Sequence, residues 1–305
     1  MTQTADAPPA ETAASPTPVL PAAPRAQRVL AIANQKGGVG KTTTAVNLGA
    51  ALAAMGEPVL VIDLDPQGNA STGLGIDRNL RRHSTYDVLV GETSLRDAVV
   101  PTAVPRLFIA PSTLDLSGLE LEIGSARDRA YRLRSALAPL HFAEPPAPAF
   151  SYVLVDCPPS LNLLTVNAMA SAHAILVPLQ CEFFALEGLS QLLKTVEQVR
   201  DTLNPALAIH GIVLTMYDAR NNLANQVVAD VREFMGRRVY DTVIPRNVRL
   251  SEAPSYGKPV LLYDLKCAGS EAYLRLATEI IERENALRAA TAQACGSAPA
   301  PPEVA

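Results

Sequence analysis

The chain has 305 residues, 48% of them apolar and 18% charged, with a net charge of −4. That length and balance suffice for a full hydrophobic core and fit one large α/β domain better than two. No apolar run reaches the roughly 18–20 residues of a membrane span, and the N-terminus lacks a charged-then-apolar signal pattern, so a cytoplasmic protein is expected. Four widely spaced cysteines, Cys157, Cys181, Cys267 and Cys295, show no CxxC or Cys/His grouping and read as reduced thiols without a metal. His83, His141, His173 and His210 are isolated and are assigned no chemistry.

Residues 1–26 are rich in Pro, Ala and Thr and have little to bury, so they read as a disordered tail. Residues 27–290 carry the folded pattern, and residues 291–305 read as a second tail. Between them, apolar runs alternate with helical patterns. "RVLAIAN" comes first, then a helix after Gly40, then "PVLVIDLD", and later "FSYVLVD", "AILVPLQ", "IHGIVLTMYD" and "DTVIP". Nearly continuous apolar strands of this kind are those covered on both faces, which predicts a single doubly wound, mostly parallel sheet. The clustered prolines of "EPPAPA", residues 144–149, predict a loop insertion before the "FSYVLVD" strand.

The first strand runs into "NQKGGVGKTTT", Asn34 to Thr44, a glycine-rich loop that opens a helix. Such a loop turns backbone N–H groups toward phosphate oxygens and adds the positive N-terminal end of the helix. Gly37, Gly38, Val39 and Gly40 form the cradle, Lys41 meets the β- and γ-phosphates, and the Thr42 hydroxyl is a Mg²⁺ ligand, with Thr43 beside it. The strict phosphate-loop pattern wants glycine five residues before Gly40, where Gln35 stands, and a second lysine, Lys36, precedes the glycines. The chain has only five lysines against twenty-one arginines, so two of them five residues apart need an explanation.

Further along, "VLVIDLDPQ" places Asp63 and Asp65 two apart at a strand end, with side chains to the same side. Ligands sit at the strand ends of parallel sheets. "FSYVLVDCPPS" ends its apolar run in Asp156, the Walker B form of carboxylate that serves the metal. From Ala219 to Lys258, seven basic residues face four acidic ones, a local excess of three positive charges that solvated surface alone could also produce.

The form K-G-G-V-G-K-T-T resembles the deviant Walker A motif of the ParA/MinD group of P-loop NTPases, and the resemblance supplies a role for the extra lysine. It implies that Lys36 reaches across a two-fold interface to the partner's nucleotide, so that two subunits sandwich two ATP molecules. Gly37 then lies where two backbones pass closely. Asp65 is implied to position the attacking water, with Asp63 nearer the metal. Resemblance to chromosomal ParA proteins of the Soj type continues through "DPQGNASTGLG", "DCPPSLNLLTVNAM", "QCEFFALEGLSQLL", "GIVLTMYDARNNLANQV" and "VIPRNVRLSEAPSYGKPV", from Arg28 to about Leu287.

In that branch, the resemblance implies an ATP-dependent homodimer that binds double-stranded DNA without sequence preference. The matching positions are Arg220 and Arg249, with Lys258 a weaker candidate, and the plain alternative for each arginine is a surface ion pair. Met216 and "IPRN", with Pro245 and Asn247, are implied to line the adenine site. A ParB-type centromere-binding partner would stimulate hydrolysis, and the protein would be associated with the nucleoid. A positioning ATPase for a non-DNA cargo is the alternative reading. A MinD-like membrane ATPase would end in a short basic amphipathic helix. The mixed-charge final stretch "EAYLRLATEIIERENALRAATAQA" does not look like one, so no membrane partner is expected. An iron–sulfur reductase of the same superfamily would need grouped cysteines.

Overall fold

The computed structural model describes residues 27–141 and 149–296. The N-terminal segment, all but the last residue of "EPPAPA" and the final nine residues lie outside them. Eight strands form one sheet: β1 (Arg28–Ile32), β2 (Val59–Asp63), β3 (Val100–Pro101), β4 (Leu107–Ala110), β5 (Tyr152–Asp156), β6 (Ala174–Gln180), β7 (Ala208–Tyr217) and β8 (Val239–Pro245). Their order is β3-β4-β2-β5-β1-β6-β7-β8, and every pairing is parallel except the short β3–β4 edge. The six expected apolar runs became β1, β2, β5, β6, β7 and β8. The two-residue β3 and the four-residue β4 were not expected, being too short for a period to register.

Among the described residues, twelve α-helices accompany the strands. The first six are α1 (Lys41–Ala54), α2 (Asn69–Gly73), α3 (Thr85–Val90), α4 (Leu95–Ala98), α5 (Leu119–Ile123) and α6 (Arg132–His141). The rest are α7 (Leu163–Ser171), α8 (Ala185–Thr202), α9 (Asn222–Met235), α10 (Val248–Glu252), α11 (Val260–Tyr263) and α12 (Ala268–Gly296). Successive strand residues point to opposite faces. Val29, Ala31, Leu60, Ile62, Val153 and Val155 enter one core layer with α3 and α5 to α9. Leu30, Ile32, Val59, Val61 and Leu154 enter the other, under α1 and α12. The sheet is therefore covered on both faces, which is why its central strands read as continuous apolar runs.

α12 continues to Gly296, past residue 290 where the sequence reading ends the domain. Its "ALRAATAQA" end is rich in alanine, the strongest helix former. Ala272, Tyr273, Leu276, Ala277 and Ile280 of α12 are buried at helical spacing, and the helix packs on α1 and β8. Among the described residues, no helix is long and apolar enough to cross a membrane.

Candidate active site

Register brings the site together. Asp63 of β2 pairs with Asp156 of β5, and Asp156 pairs in turn with Ile32 of β1. The two carboxylates and the start of the glycine loop thus lie side by side at the C-terminal ends of three adjacent strands. β1 lies between β5 and β6, where the chain turns from building one half of the sheet to the other, the usual crevice for a ligand.

Tertiary bonds hold the loop itself. Asn34 donates from Nδ2 to the Pro178 carbonyl at 2.8 Å and accepts the Lys36 N–H on Oδ1 at 3.0 Å. Thr215 donates its hydroxyl to the Val39 carbonyl at 2.8 Å. Gly38 and Gly40 have φ of 74° and 90°, conformations that penalise any side chain. Gly40 caps α1 without a side-chain hydrogen bond, which leaves the first N–H groups of the helix for an anion. Lys41 is buried and folds back over the loop, donating to the Lys36 carbonyl at 2.9 Å. Burial lowers its pKa, and Asp156 opposes that shift.

The carboxylates divide into two kinds. Asp156 is fully buried with both oxygens lacking a hydrogen-bond partner. Burial first, and then the charge of Asp63, holds its pKa well above the usual carboxylate range. The half-buried Thr42 tempers that shift, although no bond with sound hydrogen-bond geometry joins the two residues. A buried, unsatisfied carboxylate beside a threonine hydroxyl is a donor set that fits Mg²⁺. Asp63 differs. Its Oδ2 accepts the Ser71 N–H at 2.9 Å and the Ser71 hydroxyl at 2.7 Å, and its Oδ1 accepts the Asp65 N–H at 3.1 Å. Burial still raises its pKa, to about 6, against the pull of those Ser71 bonds. Three donors of its own chain engage Asp63, which ties it to the segment that carries Asp65. Asp65 is half-exposed, and among the described residues its Oδ1 accepts the Gln67 N–H alone, at 3.0 Å.

A cleft of about 500 Å³ adjoins the loop, lined in part by Gly40, Thr43, Met216, Pro245, Asn247 and Tyr273. The three expected base-site residues are thus brought to the phosphate loop. Met216 has φ of 52°, a strained conformation for a long side chain and one that functional sites retain. Tyr273, from α12, was missed because nothing in "EAYLRLA" marks it apart from a core tyrosine. Cys157, next to Asp156, is buried, and burial pushes its thiol up, away from nucleophilic use.

Lys36 extends from the loop to an ion pair with Glu182 of its own chain and keeps 39% of its side chain exposed. Gly37 is exposed, and a Cβ built there meets only Pro159 Cβ, at 4.0 Å. Among the described residues, nothing therefore requires glycine at that position.

The basic segment divides. Tyr217 and Pro245 are register partners, so the loops bearing Arg220 and Arg249 leave neighbouring strand ends. Arg237 and Arg238 precede β8 and lie at its opposite end, ~20 Å away along a seven-residue strand. The excess of positive charge is thus not one patch. Arg220 is bonded to Asp218 through Nε at 2.9 Å and Nη2 at 2.8 Å, which holds the Asp218 pKa down at about 2. Arg249 pairs with Glu252 at 2.9 Å and Asp264 at 3.4 Å. Lys258 is exposed, and no ion pair of its ammonium is found among the described residues.

Comparison with known proteins agrees with this geometry. A family model described as an AAA domain matches residues 27–209. The chromosome partitioning protein ParA of Caulobacter vibrioides (strain NA1000 / CB15N) is 66% identical over 257 residues, covering 84% of this chain and 95% of that protein. The sporulation initiation inhibitor protein Soj of Bacillus subtilis (strain 168) is 50% identical over 253 residues, 83% of this chain and 98% of that protein. Among solved structures, cobyrinic acid a,c-diamide synthase from Mycobacterium smegmatis with bound ADP and magnesium superposes with a TM-score of 0.73 at 37% identity, covering 85% of this chain and 96% of that one. The cell division ATPase MinD of Pyrococcus furiosus gives 0.68 at 29% identity, over 84% and 98%. Identity at this level, over nearly the whole length of two relatives, means that the chain belongs to the ParA/Soj family of partitioning ATPases, P-loop enzymes that hydrolyse ATP with Mg²⁺.

Proposed function

We propose that this protein is a DNA-segregation ATPase whose ATP-bound form is a sandwich dimer that binds DNA without sequence preference. The observation that carries the reading is Lys36: a second lysine at the mouth of the phosphate loop, with 39% of its side chain exposed and its ammonium paired with Glu182, a surface ion pair that a phosphate could replace. A γ-phosphate concentrates negative charge, so a cation from another subunit makes pairing depend on the nucleotide. Gly37 is in keeping with this, since its surroundings among the described residues are open to the close approach of a second copy.

Within each subunit, the Gly38–Gly40 backbone and Lys41 hold the phosphates, and the cleft at Met216, Pro245 and Asn247 takes the base. Thr42 and Asp156 would hold Mg²⁺, which when bound offsets phosphate charge. Asp65 orients the attacking water. Hydrolysis removes the group that Lys36 recognises, and the dimer parts and leaves DNA. A ParB-type protein at centromere-like sites stimulates that step, in keeping with the partitioning names of the relatives. The location is then the nucleoid.

A phosphate-directed surface needs no base readout, and a two-fold dimer doubles each contact. Arg220 and Arg249 would exchange their carboxylate partners for DNA phosphates, while Lys258 has no ion-pair partner among the described residues. Arg249→Ala is expected to weaken DNA binding and to lower the slope of log affinity against log salt by about 2 per dimer, one contact per subunit. Because Arg249 is half-exposed, its surface pairs contribute little to folding and thermal stability should hold. Titrations at several salt concentrations that match wild type would move the DNA surface elsewhere.

The reading as a whole is tested by binding to a nonspecific duplex with ATP, ADP or no nucleotide, using wild type beside Asp65→Ala. Binding with ATP alone, prolonged in the variant, is the expected result. Absence of binding in every state would leave the ATPase intact and turn attention to a non-DNA cargo.

A further inference from the structure

We propose that Arg81 is a positioning residue for hydrolysis, which holds the main chain of Asp65 in place through Ser112. The inference rests on the reading of Asp65 as the group that orients water. Arg81 is only 9% exposed, yet its guanidinium forms no ion pair among the described residues. It donates from Nη1 to the Ser112 carbonyl at 2.8 Å, and from Nη2 to the Thr72 hydroxyl and the Ile76 carbonyl, both at 2.9 Å. Longer bonds reach the Ile76 carbonyl from Nε at 3.2 Å and the Gly68 carbonyl from Nη2 at 3.4 Å. All of these acceptors lie on two stretches, the segment from Gly68 to Ile76 that follows Asp65 and the turn after β4.

Those stretches end on Asp65. Ser112 donates its hydroxyl to the Asp65 carbonyl at 2.5 Å. Its N–H bonds to the Ser71 hydroxyl at 3.0 Å, and Ser71 bonds in turn to Asp63, which accepts the Asp65 N–H. The peptide groups on both sides of the Asp65 Cα are therefore fixed, one by Asp63 and one by Ser112, with Arg81 locking the carbonyl of Ser112. The guanidinium lies flush against the loop: a Cβ on Gly68 would stand 2.3 Å from Nη1, and Gly68 has φ of 64°. Only a planar fork with five N–H donors satisfies this many acceptors, and a lysine offers three donors from one point. The charge of Asp63 helps to keep the buried guanidinium protonated against the cost of its desolvation.

The nucleotide-holding groups Lys41, Thr42 and Gly38–Gly40 stand on a different segment, so loss of Arg81 should act on turnover and not on ATP binding. A misplacement of about 1 Å in a reacting geometry can cost about 10²-fold in rate. In the purified full chain, Arg81→Gln should lower kcat for Mg-ATP about 10- to 100-fold with KM and the affinity for a fluorescent ADP analogue unchanged. Arg81→Lys should restore part of the rate. The Arg81→Gln/Asp65→Ala double variant should be no slower than Asp65→Ala alone. Ser112→Ala removes the link to Asp65 without unpairing a buried charge, and should show the same kcat-against-KM split if Arg81→Gln unfolds. Loss of turnover in Asp65→Ala with wild-type kcat in Ser112→Ala and in folded Arg81→Gln would overturn the role of Arg81 alone. Wild-type turnover in Asp65→Ala would overturn the role of Asp65 and this inference with it.

Discussion

Lys41→Ala is expected to abolish ATP turnover, with kcat reduced at least 10²–10³-fold, the cost of deleting one charge-stabilising donor from a buried site. Lys41, the first residue of α1, is 6% exposed, and among the described residues its ammonium donates to the Lys36 carbonyl alone. Its pKa is lowered by burial, so the charge is held there at a cost to the fold. Removing it forfeits one hydrogen bond, worth about 1 kcal/mol, and relieves that desolvation. The variant should accordingly remain folded, with an unfolding midpoint close to wild type. Asp156 would lose the Lys41 charge, which now lowers its pKa, and become still harder to ionise. The measurement is steady-state phosphate release beside thermal unfolding. Normal turnover by a folded Lys41→Ala protein would remove the central assignment of the site.

Gly37→Val carries the second large effect, on assembly. Gly37 lacks the positive φ of Gly38 and Gly40, and an added Cβ is in ordinary contact with Pro159. A valine side chain therefore fits within the chain, and folding and ATP binding should persist. If a second copy passes close to Gly37, the branched side chain must push it away. A displacement costing about 3 kcal/mol weakens a dimer roughly 100-fold. Sedimentation with ATP should find the variant monomeric at concentrations where wild type pairs. Dimers of the variant would place the interface elsewhere and leave Lys36 with no partner across it.

The phosphate loop, the two strand-end aspartates and the parallel sheet could be read from the chain because each depends on neighbouring residues. Glycines followed by Lys-Thr make a cradle wherever a strand feeds a helix, and continuous apolar runs mark strands covered on both faces. The edge pair β3–β4 left no such trace. Other decisions lay in contacts between residues far apart in sequence. Asp63 and Asp156 look alike as strand-ending carboxylates, yet Ser71 and the Asp65 N–H engage one and leave the other bare. The seven basic residues after Ala219 count as one cluster along the chain, but strand β8 separates Arg237 and Arg238 from Arg249. Arg81 lies in the unremarkable run "DRNLRRHS", and only folding brings the Ser112 carbonyl to it across 31 residues.

The amino-acid order alone thus determined the class of fold and the chemistry of the loop, since both follow from local periodicity and turn geometry. Tertiary structure decided which carboxylate stays open to a cation, where the positive charges stand and what holds Asp65, because burial and long-range hydrogen bonding exist only once the strands are in register.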